Sequence, residues 1–243
     1  MRRADLHVLS AALPTSTAFV REHLRAPLTV ALLVAIPAFF VLIFASVLGE
    51  FAEALGGTLA SQSATAISAG WAAAFLSGTL AFFQVSSSRG ADRRLAAAGL
   101  GPGRVAVARI AASLALGVAV SAVAFATLWL RVGIGHPLHA AVAILSFAAI
   151  YTGLGALIGA FVKDALSGSL LVLLLFSVDA FANPEMTSSA LSWTPTRAAS
   201  KMLVAAGSEL GSPRGDWLEM AFVSLGALGV ALAAFWFVAR TRP

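Results

Sequence analysis

The chain has no cysteine, a single tyrosine and only two lysines, and 11% of its 243 residues are charged, where soluble domains carry about 25%. Each shortage excludes something. Without cysteine there is no disulfide framework and no thiolate chemistry, and the redox compartment goes unmarked. The lysines, Lys163 and Lys201, follow valine and serine rather than the glycine of a Gly-x-x-x-x-Gly-Lys-Ser/Thr phosphate loop, so the chain carries no such nucleotide motif. His-Glu-x-x-His is absent, and no histidine falls inside an apolar run. Ser77-Gly78 and Ser167-Gly168 have Phe75 and Ala165 where an intramembrane serine protease would place glycine. No catalytic, cofactor-binding or metal-binding residue is therefore expected. The net charge of +5 does not imply nucleic acid, because the basic residues lie scattered between apolar blocks and form no patch of their own.

What the chain does have is apolar length: 59% of its residues are hydrophobic. A helix needs about 20 apolar residues to cross a bilayer at about 1.5 Å each. Spans are expected over 26–48, 64–86, 105–130, 140–162 and 217–239, with a shorter sixth over 165–182 that carries Asp179 near its end. Together they predict an all-α membrane protein, one transmembrane domain over 1–243, in which Pro37 kinks the first span. Met1-Arg2-Arg3 resembles the start of a signal peptide, but Asp5, His7 and Pro14 interrupt the apolar stretch that should follow.

Counting basic residues in alternate loops orients the chain. One side holds Arg2, Arg3, Arg21, Arg25, Arg89, Arg93, Arg94, Arg104, Arg109, Lys163, Arg240 and Arg242, whereas the other holds only Arg131, Arg197, Lys201 and Arg214 with most of the acids. The bias places both termini in the cytoplasm, as expected of a multi-pass inner-membrane protein. Trp71, Trp129 and Trp217 then fall at outer interfaces and Trp236 at an inner one.

Three connecting segments are long enough to have work of their own. In the cytoplasmic stretch 1–25, Phe19, Val20 and Leu24 share a helical face opposite Arg21, Glu22 and Arg25, as in an interfacial helix lying on the inner leaflet; the simpler reading is a charged flank that sets topology. The inner loop 87–104 offers Ser88 as the cap of a short helix over 91–98, Gly99 to close it and Gly101-Pro102-Gly103 to turn the chain back. That helix would expose Asp92, Arg93 and Arg94 with Leu95 on its other side, suited to a cytoplasmic partner or to anionic lipid. The outer segment 183–216, with Trp193, Met202, Leu203 and Val204, is too apolar to float in water and reads as short re-entrant helices.

This layout, with the strings Glu22-His-Leu-Arg-Ala-Pro27, Arg89-Gly-Ala-Asp-Arg-Arg-Leu95 and Gly99-Leu-Gly-Pro-Gly-Arg104, resembles the permease subunits of type-2 ATP-binding-cassette (ABC) exporters. The resemblance implies a connecting helix before the first span, a coupling helix between the second and third, and short outer helices before the last. It further implies a second permease subunit, as homodimer or heterodimer, and an ABC ATPase that holds ATP and magnesium and docks on Arg89, Asp92, Arg93, Arg94 and Leu95. Such coupling loops often present glutamate to the ATPase; here Asp92 is the only acid in the loop. The paucity of charge inside the spans suggests an amphipathic or hydrophobic cargo, such as a drug, lipid or natural product. A stand-alone channel or secondary carrier is the rival reading, and it would call for more membrane-buried polar residues.

Individual residues are weighed against plainer roles. Gln84, Asp179 and Glu219 are candidates for a substrate path, the first also suited to a helix-to-helix hydrogen bond and the two acids to interfacial solvation. Arg109 is expected to snorkel to headgroups. Gly155-x-x-x-Gly159, with Gly153, offers a smooth face for close helix packing, within the chain or between copies. His136 and His139 lack a third metal ligand nearby.

Overall fold

Apolar runs of this length can satisfy their backbone groups in lipid only as helices, and the chain is helical throughout its described parts. The computed structural model describes residues 15–21, 25, 27–54, 60–182, 194–206 and 214–241, with no strand among them. The helices are α1 (residues 15–21), α2 (Pro27–Phe39), α3 (Ala45–Ala54), α4 (Ser61–Leu95), α5 (Pro102–Val132), α6 (Pro137–Phe161), α7 (Ala165–Phe181), α8 (Arg197–Ala206) and α9 (Arg214–Thr241). Pro102 and Pro137 open α5 and α6, where a missing N–H is harmless. At Pro37 the missing donor disturbs α2, and the chain passes through a π-helical turn at Phe40–Phe44 before continuing as α3. Carbonyls near that turn are taken up by Arg131, at the end of α5, which donates to Val41 O at 2.9 Å and to Leu42 O.

Five helical stretches are long and apolar enough to cross a bilayer: Val30–Glu50, Ser61–Leu100, Pro102–Val132, Pro137–Phe161 and Asp216–Val238. The shorter α7, 17 residues, covers about 26 Å of the roughly 30 Å needed. Asp164 caps it by accepting a 2.7 Å hydrogen bond from the Ser167 N–H; bonding to Ser167 holds the Asp164 carboxyl below the usual carboxylate range. α4 and α6 form the centre, and α2, α7 and α9 lie around them with large side chains turned outward: Leu28 is 71% exposed, Leu166 68% and Phe222 80%. So much outward-facing apolar surface suits lipid rather than water, the build of a multi-pass membrane protein.

The centre is close-packed through glycine. A Cβ on Gly155 would collide with the Gly78 carbonyl of α4, and one on Gly159 would lie 2.9 Å from Phe82 O. One on Gly153 would lie 2.6 Å from the Ala227 carbonyl carbon of α9. The Gly155-x-x-x-Gly159 face is thus used inside the chain, between α6 and α4.

Four expectations change. First, α4 runs unbroken to Leu95 and passes into a π-helical turn at Ala96–Leu100, so 91–98 is not a separate short helix. Ser88 does not cap; its hydroxyl bonds back to Gln84 O at 2.5 Å and to Asp92 Oδ2 at 3.0 Å inside a continuing helix. The break comes where the glycines allow it, at Gly99 (φ 104°) and Gly101 (φ 75°). Second, Trp71 is 2% exposed and packs edge-on against Phe176 at 5.9 Å, so it is a core residue and not an interfacial anchor. Third, α1 lays Phe19 against Ala108 and Ala112 of α5; Leu24 of that expected face and Glu22 of the opposite one lie outside the described residues. Fourth, Arg109 is buried, as described below. In the segment 183–216, α8 buries Met202 and Leu203 completely or nearly so, at 0% and 1% exposure; Trp193 lies outside the described residues.

Candidate functional site

The α4–α5 hairpin concentrates the charged residues of the described chain. At 35 residues α4 is about 52 Å long, and α5, at 31, about 46 Å, both exceeding the roughly 30 Å hydrocarbon core. The hairpin therefore reaches beyond the membrane at one end at least. Near its tip Asp92 and Arg109 form an ion pair: Arg109 Nη2 donates to Asp92 Oδ1 at 2.8 Å and Nε to the same oxygen at 3.0 Å. Both side chains are about 95% buried. Ser88 donates to the other carboxylate oxygen, and the guanidinium lies flat over Phe19, 3.6 Å from the ring centre. The pair thus ties α1, α4 and α5 together. Arg109 does not snorkel, because a partner carboxylate and an aromatic face lie closer than any headgroup.

The five residues assigned to an ATPase contact divide. Arg89 turns inward, its Nη2 donating to Val162 O at 2.7 Å and to Gly159 O, carbonyls at the C-terminal end of α6 that lack helical partners. Asp92 is enclosed with Arg109 and presents nothing outward. Leu95 is half-buried against the Phe19 cluster. Arg93 and Arg94 are exposed, without an ion pair or hydrogen bond among the described residues.

Further along the hairpin a polar seam continues inside the bundle. On α5, Arg109, Ser113, Gly117 and Ser121 follow at intervals of four and share one buried face. Ser113 donates to Gln84 Oε1 of α4, the helix-to-helix bond considered for that glutamine. A Cβ on Gly117 would lie 3.2 Å from Ser77 Oγ and 3.5 Å from Thr152 Oγ1, so these hydroxyls flank one point of α5. The Ser77, Ser121 and Thr152 hydroxyls and Gln84 Nε2 are buried without a hydrogen-bond partner among the described residues.

Asp179, at the end of α7, belongs to a separate cluster. It is 7% exposed and accepts from Tyr151 Oη at 2.9 Å, Thr196 Oγ1 at 2.9 Å and the Thr196 N–H at 3.4 Å. The carboxylate thereby joins α6, α7 and the start of α8, and it is not solvated at an interface. Replacing it with alanine leaves three buried donors unmatched, at about 1–3 kcal/mol each. Asp179→Ala should speed amide hydrogen exchange across α8 by at least about tenfold while α5 stays protected; equal acceleration of both would show that the carboxylate does not act locally. Glu219 is exposed on α9. Gln84, Asp179 and Glu219 therefore sit in different surroundings. His136 and His139 pack ring to ring at 5.3 Å, and His139 against Trp217 at 5.2 Å.

Arg109 and Tyr151 are the partners that sequence reasoning missed. The spacing of Arg109 four residues before Ser113 was a legible signal of a shared face; Tyr151 offered none beyond being the sole phenol. No protein-family model matches the chain, and no curated protein matches it.

Proposed function

We propose that the chain is the membrane-spanning permease subunit of an ABC exporter, moving an amphipathic or hydrophobic molecule with ATP hydrolysed by a separate subunit. In this reading α7 is the sixth span, both termini and the α4–α5 tip are cytoplasmic in a bacterial plasma membrane, and two permease subunits pair. The observation that carries it is the tip itself: a helical hairpin longer than the bilayer is thick, presenting Arg93 and Arg94 to solvent and braced from beneath by the Asp92–Arg109 pair. A motor docked on such a hairpin pushes directly on α5 and on α4, one of the two central helices. The basic bias of the loops at that end supports the orientation. The contact is narrower than the sequence suggested: Arg93 and Arg94 face the ATPase, while Arg89 and Asp92 hold the tip rigid.

Purification through a carboxyl-terminal tag in mild detergent should bring down an ABC ATPase in stoichiometric amount. Arg93→Glu with Arg94→Glu should then lower its recovery by about tenfold or more with little change in thermal stability, both side chains being exposed. An unchanged yield would remove the docking assignment. The buried seam from Gln84 to Ser121 favours a second reading, a carrier or channel needing no motor, since a passage for polar cargo requires such groups. Transport by the chain alone in proteoliposomes without ATP would select it.

A further inference from the structure

A cavity of about 340 Å³ opens beside the α4–α5 tip, between α4, α5, the end of α6 and the end of α9. Ligand pockets begin at about 300 Å³. Its walls are apolar, with Val85, Val105, Ala160 and Phe235 all buried. Its polar lining is three residues of α4: Arg89, Asp92 and Arg93. Asp92 is neutralised by Arg109, so the pocket keeps the charge of two arginines, and its carboxylate leaves no net negative charge to oppose them. Arg89 is fixed on the α6 carbonyls, whereas Arg93, one turn along, has its guanidinium exposed and uncommitted among the described residues. Trp236, 41% exposed, stands beside Gly103 at the same end, a side chain suited to headgroup depth.

We infer that this cavity binds one anionic phospholipid, its acyl chain along Val85, Val105 and Phe235 and its phosphate on Arg93 at the mouth. An apolar chamber with a cationic rim matches an amphiphile whose charge and chain are joined end to end; a free anion would leave the walls uncovered, and a neutral lipid would leave Arg93 unmatched. A planar guanidinium suits phosphate bidentately. The site shares Arg93 with the docking surface of the transport reading, but lipid binding needs no ATPase and is measured on the chain alone.

The test is native mass spectrometry of the purified chain in neutral detergent, titrated with phosphatidylglycerol or with phosphatidylcholine of the same acyl chains. One phosphatidylglycerol should bind at least about tenfold more tightly than phosphatidylcholine, the gap that one charge-assisted contact sustains. Arg93→Glu should abolish that preference. Arg94→Glu makes the same charge change one residue on, outside the cavity lining, and should leave affinity within about twofold. Ala97→Trp, which fills the mouth from an exposed position, should lower binding of both lipids. Melting temperatures close to the parent would show all three variants folded. Equal losses in the two glutamate variants would reduce the effect to surface attraction and overturn the site. Displacement by millimolar inorganic phosphate would assign the arginines to a free anion, and a co-purifying polypeptide whose binding Ala97→Trp abolishes would assign the cavity to a protein; either result overturns the lipid.

Discussion

Arg109→Met should destabilise the protein by about 3–5 kcal/mol, because it leaves the Asp92 carboxylate buried with only the Ser88 hydroxyl for company. At roughly 2–4 °C per kcal/mol for a chain of this size, the melting temperature in detergent should fall by about 6–20 °C. The Arg109 side chain also roofs Phe19, so the same substitution should loosen α1 from α5. The double variant Asp92→Leu with Arg109→Met removes both charges and keeps the bulk apolar, and it should recover most of the loss. A single variant as stable as the parent would mean that the carboxylate is reached by water and the pair is not enclosed. An additive double variant would mean that the two residues act independently, contrary to their bidentate geometry.

Gly155→Leu should have a still larger effect. Any Cβ there meets main chain rather than side chain: it collides with Gly78 O and would lie 2.8 Å from the Gly78 carbonyl carbon. A rotamer change cannot relieve a backbone clash, so α4 and α6 must separate at their closest point. The cost should exceed the roughly 1–3 kcal/mol typical of overpacked cores, with little monodisperse protein recovered by size-exclusion chromatography. Gly49→Ala on α3 is the matched control. A Cβ there meets nothing within 4 Å, and removing a mid-helix glycine should stabilise by up to about 1 kcal/mol. If Gly155→Leu accumulated and melted like Gly49→Ala, the α4–α6 contact would not be the one that holds the folded chain.

The long helices were legible because hydrocarbon leaves a backbone no alternative, and the turn at Gly99–Pro102 because positive φ belongs to glycine. The hairpin's shape was not. Ser88, Gly90 and four charged residues look like the end of a span, yet each is tolerated in a helix, and only Asp92 finding Arg109 across the hairpin shows why the helix continues. Burial of a charged residue depends on a partner 17 positions away in the chain, and local pattern cannot see it. Trp71 and Asp179 failed for a related reason. Rules that set tryptophans and acids at the membrane boundary assume a helix facing lipid, and both residues face other helices. Where outward-facing positions decided the matter, as on α9, the apolar run was sufficient.

The meeting of Gly78 with Gly155 has a mechanical side. Gly78 is the midpoint of α4, with 17 residues on either hand, so the helix is a beam with equal arms of about 25 Å on a narrow fulcrum. Both residues at the pivot are glycine, so main chain meets main chain there, with the Tyr151 ring packed beside Gly78. A tilt of about 10° would swing the Arg93 end by about 4 Å and carry the Ser61 end about as far the opposite way. Arg89, held on the α6 carbonyls near one end, latches that beam, so a tilt about the glycine pivot would have to release it first.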